Sequence, residues 1–316
     1  MEKRPLIIIT GPTASGKTAL SIDLAKKIDG EIISADSMQV YRHMDIGSAK
    51  VMKEEMDGIP HHLIDVLEPS EEFNVVVFQS MAKKAIEEIY SRGRVPIVAG
   101  GTGFYIQALL YDIDFTETTD DKELREKLEK KAETEGSEAL HRLLREVDPE
   151  SAEVIHPNNV KRVVRAIEFF YKTGKKISEH NKEERQKFSP YEFFYYVLTP
   201  PRSVLYNRID NRVNKMIEHG LVEEVKTLKN MGYTREMVSM QGLGYKEILD
   251  YLNGEISLDE AVYTIKRDTR HFAKRQLTWF RRERDVRWLA PEDFGDDREK
   301  IVKAILDDFY QTFSKE

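Results

Sequence analysis

Short runs of β-branched and aromatic residues alternate with amphipathic stretches over much of this chain. Residues 5–10 (PLIIIT), 31–36 (EIISAD), 95–101 (VPIVAGG) and 193–199 (FFYYVLT) are apolar runs too short for helices, and they are expected as strands. A weaker strand is expected at 62–66 (HLIDV). Between several of these runs the apolar positions recur at helical spacing. In KTALSIDLAKKI, Leu20, Leu24 and Ile28 stand four apart, and VVFQSMAKKAIEEIYSRG stops at Gly93 with Arg92 in its last turn. Strands alternating with helices predict an α/β fold with a mainly parallel sheet flanked by helices on both faces.

Residues 116–187 break that rhythm. They are highly charged, carry no strand pattern, and predict consecutive helices in DKELREKLEKKAETEG, EALHRLLREV and NVKRVVRAIEFFYKTG. The third places Val160, Val163, Val164, Ile167 and Tyr171 on one apolar face, bracketed by Pro157 and Gly174. Further helices are expected at 202–219, 221–231, 244–252 and 257–283. The expected organisation is an α/β core, 1–115 plus 190–316, interrupted by an all-helical insertion at 116–189.

The first strand runs into Gly11-Pro12-Thr13-Ala14-Ser15-Gly16-Lys17-Thr18, which fits the phosphate-loop pattern G-x-x-x-x-G-K-[ST] between a strand and a helix. Its glycines let backbone N–H groups turn toward an anion, and the helix N-terminus adds partial positive charge. Lys17 suits terminal phosphate oxygens and the Thr18 hydroxyl suits Mg²⁺. The loop does not name its ligand, since any diphosphate with Mg²⁺ fits. An aspartate after a second apolar strand usually completes a nucleotide hydrolase. Here VPIVA ends in Gly100-Gly101-Thr102 instead, and Asp65 is a poorer alternative.

Ligands of open parallel sheets bind beyond the C-terminal strand ends. The second strand ends in Asp36, Ser37, Met38 and Gln39, which should converge with the phosphate loop and with Thr102. Asp36 is then a proton acceptor, a water-mediated Mg²⁺ holder, or simply the cap of a following helix. The pair His61-His62 lacks a third ligand at zincin spacing and reads as structural.

Composition narrows the choice. The chain has 316 residues, 40% hydrophobic and 33% charged, and no cysteine, which excludes disulfides, thiol catalysis and Cys-ligated zinc. No apolar run approaches the ~18 residues needed to span a membrane. The N-terminus reads as a first strand and no signal peptide, so a cytoplasmic enzyme without membrane attachment is expected. Net charge is −7, but nine Lys/Arg face four Asp/Glu in residues 157–187, and nine face three in 266–287. Lys161, Arg162 and Arg165 share one helix face, continued by Phe169. Arg267, Arg270, Lys274 and Arg281 recur at heptad-like spacing, with Gln276, Thr278 and Trp279 nearby. Two basic stripes in an acidic protein favour a folded anionic partner such as RNA, against the alternative of solvated helix faces. Arg212, in a helix that starts just past strand 193–199, is placed to reach a diphosphate. A small-molecule kinase and a non-catalytic RNA-binding NTPase remain open on these residues alone.

The segments GPTASGKT, SADSMQVYRHMDIGSAK, PHHLID, VAGGTGFYIQALL, HPNNVKRVVRAIE, LYNRIDNRVNKM, QGLGYKE and AKRQLTWFRR, in this order, resemble the bacterial tRNA dimethylallyltransferases over nearly the whole chain. The resemblance implies transfer of a dimethylallyl group from dimethylallyl diphosphate to N6 of adenosine 37, in the anticodon stem-loop of tRNA, with Mg²⁺ as cofactor. It implies that Gly11 to Thr18 and Arg212 bind the donor diphosphate, with Lys17, Thr18 and Asp36 catalytic and Thr18 on the metal. It also implies tRNA contacts from Asp36, Ser37, Met38, Gln39 and Thr102, and from Lys161 to Arg165. Arg125, Arg270, Lys274 and Arg281 are placed with the tRNA-binding residues, and a monomer is expected. A related enzyme class prenylates free adenine nucleotides through similar motifs. Eukaryotic relatives often carry a C-terminal zinc finger, which this chain lacks.

Overall fold

In a computed structural model describing residues 3–115 and 122–313, the apolar runs assemble into one parallel sheet. The strands are β1 (Arg4–Thr10), β2 (Gly30–Ala35), β3 (His61–His62), β4 (Val95–Gly100), β5 (Tyr191–Leu198) and β6 (Val286–Leu289). Their order is β3-β2-β4-β1-β5-β6, and every pairing is parallel. Central β1 is buried on both faces, with Leu6, Ile7, Ile8 and Ile9 fully covered, as its unbroken apolar run requires. Each such side chain contributes roughly 2 kcal/mol of burial, so the loop that follows hangs from the best-anchored strand.

Helices cover the sheet: α1 (Lys17–Ile28), α2 (Val75–Ser91) and α3 (Gly103–Leu110). Asn74 starts α2 by accepting from the N–H groups of Val76 and Val77. On the α1 face, Leu20 and Leu24 join Ile7, Ile9, Ile32 and Ile97 in one core cluster.

The chain divides into two compact units, 1–110 with 191–316, and 111–190. The second holds α4 (Lys122–Glu135), α5 (Ser137–Val147), α6 (Pro149–Val154), α7 (Val160–Thr173) and α8 (Ile177–Gln186). Its core is Leu128, Leu140, Leu144, Val163, Val164 and Ile167. Buried Asp148 ties α6 to α8 by accepting from the backbone N–H and hydroxyl of both Ser151 and Ser178. The first unit continues with α9 (Arg202–Glu218), α10 (Leu221–Asn230), α11 (Tyr245–Leu252), α12 (Leu258–Phe280) and α13 (Arg298–Phe313).

Several expectations need correction. The strand at 62–66 stops at His62, because Leu63 and Asp65 adopt positive φ (63° and 55°), which ends extended pairing. On α7, Tyr171 is 53% exposed and leaves the apolar face, whereas Phe169 leaves the basic one. Phe169 is buried against the His180 ring at 5.0 Å, and its place three residues past buried Ala166 puts it on the core side. Asp36 caps no helix: turns follow it, and its Oδ1 accepts from the N–H groups of Met38 (2.8 Å) and Gln39 (3.4 Å). Strand β6 and helices α3, α6, α8 and α13 lie outside the expected elements. β6 is a short edge strand whose Arg287 and Trp288 are exposed, so its pattern is weak.

Candidate active site

Register brings the site together. Thr10 pairs with Gly100, and Gly100 pairs with Ala35. The next residue of each strand, Gly11, Gly101 and Asp36, therefore leaves the sheet at one edge. The Thr10 hydroxyl donates to Gly100 O at 2.6 Å, and Thr102 N donates to Ala35 O at 3.2 Å. Gly100 has no alternative, since a Cβ there would lie 2.2 Å from Ala35 O.

The phosphate loop is built on backbone geometry that favours glycine. Gly11 has φ +146°, and a Cβ on it would meet Leu198 O at 2.7 Å. Gly16 (φ 98°) ends the loop and α1 begins at Lys17. The Ser15 hydroxyl is buried with no hydrogen-bond partner among the described residues, the state of a group aimed at a ligand. Lys17 Nζ donates weakly to Pro12 O at 3.3 Å. Burial pulls the Lys17 pKa down to about 8, with Asp36 opposing and Arg212 reinforcing the fall. Arg212, from α9, reaches Thr13 Oγ1 at 3.4 Å, and burial lowers its pKa while Asp36 and Glu55 oppose. Two cations are thus held partly desolvated at one loop, opposed only in part by the carboxylates of Asp36 and Glu55, a state that an incoming anion stabilises.

Two cavities border the loop and the start of α1. The larger, about 1060 Å³, is lined by Ser15, Gly16, Arg208, Arg212 and Lys215 among others. The smaller, about 30 Å³, is lined by Lys17, Thr18, Asp36, Gln39, His61 and Gly100 among others. Asp36 Oδ2 accepts no hydrogen bond from any described residue. No group of three or more His, Asp or Glu side chains suited to a metal occurs among the described residues. The donors present are the Thr18 hydroxyl and the Asp36 carboxylate. That set fits Mg²⁺, which keeps several waters and is held by one or two protein oxygens plus substrate phosphates.

Gln276 of α12 was given only as a neighbour of the basic stripe, yet it holds two loops of the site. Its Oε1 accepts from Thr13 N and its Nε2 donates to Gly101 O, both at 2.9 Å. Glu224 of α10 was missed altogether. It accepts from the N–H groups of Asp45 (3.0 Å), Ile46 (2.7 Å) and Gly47 (3.0 Å) and from the Tyr245 hydroxyl (2.9 Å). It thereby shapes a wall of the larger cavity. Contact across 177 residues leaves no local signal for that role.

The remaining candidates are placed as follows. Ser37 lies in the turn after Asp36, and Met38 packs on Gly242, where a Cβ would come within 2.5 Å of its Cε. Gln39 Nε2 donates to Ala49 O at 3.3 Å. Asp65 pairs with buried Lys50, which also binds Asp45, so its carboxylate is committed. His62 pairs with Glu31. Arg270 pairs with Asp210 of α9, and Lys274 and Arg281 are exposed on α12 and at its end. In the second unit Lys161, Arg162 and Arg165 are exposed on α7, while Arg125 makes a two-pronged pair with buried Glu168.

A parallel sheet ending in a phosphate loop, two desolvated cations and a turn-anchored carboxylate define a phosphate-loop α/β enzyme. Residues 39–283 match the IPP transferase family, and residues 5–70 match the isopentenyl transferase family. The tRNA dimethylallyltransferase of Lachnoclostridium phytofermentans is 62% identical over 302 residues, 96% of each chain. That of Acetivibrio thermocellus is 55% identical over 300 residues, 95% of this chain and 96% of its own. A crystal structure of the tRNA isopentenylpyrophosphate transferase from Bacillus halodurans superposes with TM-score 0.74 at 44% identity, covering 99% of both chains. A eukaryotic dimethylallyltransferase acting on tRNA superposes with TM-score 0.81 at 32% identity, over 98% of this chain and 80% of that one. The chain belongs to the tRNA dimethylallyltransferase family of IPP transferases.

Proposed function

We propose that this protein transfers the dimethylallyl group of dimethylallyl diphosphate to N6 of adenosine 37 in tRNA, releasing N6-dimethylallyladenosine-containing tRNA and diphosphate. The observation that carries the reading is the register that sets Asp36 beside the phosphate loop, with no strand-end aspartate of the hydrolase kind after β4.

The adenine exocyclic amine is a poor nucleophile because its lone pair is delocalised into the ring. An allylic donor compensates, since its C1–O bond weakens readily once the departing diphosphate is stabilised. Lys17, Arg212 and the loop N–H groups are preorganised for that charge. As the N6–C1 bond forms and the C1–O bond breaks, Asp36 Oδ2 takes the N6 proton. Oδ1 stays tied to the Met38 and Gln39 N–H groups, which fixes the plane of the carboxylate. Thr18, with Asp36 through a water, would hold Mg²⁺, which when bound would neutralise charge on the diphosphate.

The adenine must leave its stack to reach this edge, and a single-stranded anticodon loop makes that cheaper than a duplex. Lys161, Arg162 and Arg165 on α7, with Lys274 and Arg281 at α12, supply phosphate contacts to a folded RNA. Arg125 supports that surface from its pair with Glu168. The reading also makes it a cytoplasmic enzyme that acts as a monomer.

The test is to incubate the protein with dimethylallyl diphosphate, Mg²⁺, ATP, AMP and unmodified tRNA together. Only tRNA should gain five carbons; prenylated AMP or consumption of ATP alone refutes the reading.

A further inference from the structure

His61 stands on β3 with its two ring nitrogens in different states. Nδ1 lies 2.8 Å from Ile59 O. A carbonyl only accepts, so Nδ1 carries the proton and Nε2 keeps a lone pair. Nε2 is buried and has no hydrogen-bond partner among the described residues. Burial pushes the imidazole pKa down, the direction that keeps the ring neutral.

Pairing shows where that ring lies. His61 is registered with Ile32 of β2. The two-residue period of a strand carries the same face to Ser34 and then to Asp36. Ile32, Ser34, Asp36 and His61 line the smaller cavity, and Lys17, Thr18 and Ser21 of α1 line it as well. Its volume of about 30 Å³ suits about one water with several polar neighbours.

We propose that His61 is a positioning residue for Asp36, acting through a water in this cavity that donates one proton to His61 Nε2 and the other to the Asp36 carboxylate. The water's lone pairs face the donors that share the cavity, the Lys17 ammonium and the hydroxyls of Thr18 and Ser34. An imidazole of this tautomer can only accept at Nε2, so it fixes which way the water points. The carboxylate is then held at Oδ1 by backbone and at Oδ2 by water, ready to exchange the water's hydrogen bond for the N6 proton. This role rests on the prenyl transfer proposed above.

Two substitutions separate the acceptor from the scaffold. Asn at 61 keeps a donor for Ile59 O and lacks any atom at the Nε2 position, whereas Gln extends its amide oxygen to that position. In single turnover with saturating donor and tRNA, His61→Asn should slow transfer about 10-fold or more, with both dissociation constants within about twofold of wild type. His61→Gln should recover to within about threefold of wild type. A wild-type rate in His61→Asn, equal loss in both variants, or loss confined to binding would overturn the role. Independently of whether the variants fold, the ¹⁵N spectrum of histidine-labelled wild type should show Nε2 of His61 unprotonated; a proton there would also overturn it. Wild-type protein that prenylates no tRNA removes the reaction reading instead, and the spectrum then still tests the hydrogen-bond arrangement.

Discussion

Replacing Gln276 by Leu tests whether the site is held together from outside its motif. Leucine has nearly the same volume but cannot hydrogen-bond, so Thr13 N and Gly101 O each lose a partner at 2.9 Å. A buried backbone group left unpaired costs about 1–3 kcal/mol. Gly101 is buried, so its carbonyl pays most of that, whereas half-buried Thr13 recovers water and loses little. The sum is a destabilisation of roughly 2 kcal/mol, or a melting midpoint lower by about 3 °C for a protein this size. The larger consequence falls on the phosphate loop, because Thr13 also meets Arg212. A loop released from α12 must be ordered by the ligand, which should weaken dimethylallyl diphosphate binding about tenfold and leave tRNA affinity unchanged. Urea unfolding reads the first effect and calorimetric titration with the donor reads the second. Unchanged unfolding and unchanged donor affinity would refute the reasoning, and would mean that the bridge of Gln276 holds nothing.

Asp36→Ala should lower transfer by about 10²–10⁴-fold while donor and tRNA still bind, measured in single turnover. Donor affinity should depend on pH through Lys17, whose pKa in the free protein is about 8. Below that pH the ammonium is already present and affinity is flat. Above it, binding the anion must take up a proton, so the dissociation constant should rise by up to about tenfold per unit, as donor titration across pH would show. Arg162→Ala combined with Arg165→Ala should weaken tRNA binding and reduce the slope of log affinity against log salt by about 1–2. A slope equal to wild type would leave that face of α7 to solvent.

The parts of the site that lie within one motif were legible in the chain. The phosphate loop declares itself because glycine is demanded at Gly11 and Gly16 by backbone geometry, independently of distant partners. Asp36 could be placed at the sheet edge because parallel strands end together, and the observed register Thr10–Gly100–Ala35 is that rule in atoms. The alternative of a helix cap fails because turns follow Asp36, and backbone N–H groups claim only one oxygen. What stayed hidden depends on contacts distant in sequence. Gln276 looks like one more polar residue in a basic helix until α12 brings it to Gly101, 175 residues away. Glu224 fills a nest of N–H groups that no spacing announces. Phe169 and Tyr171 were exchanged because charge pattern alone does not show where a helix face turns from core to solvent.

On the proposed reaction, the loop grips the diphosphate of a prenyl donor while an RNA base displaces it. The most direct measurement counts both products of one reaction: diphosphate released, and dimethylallylated adenosine mapped within the tRNA. Equal amounts of each are expected, with modification confined to adenosine 37 and no phosphate released from ATP present in the same tube. Diphosphate or phosphate released without prenylated tRNA, or prenylation of another nucleotide, would contradict the proposed reaction.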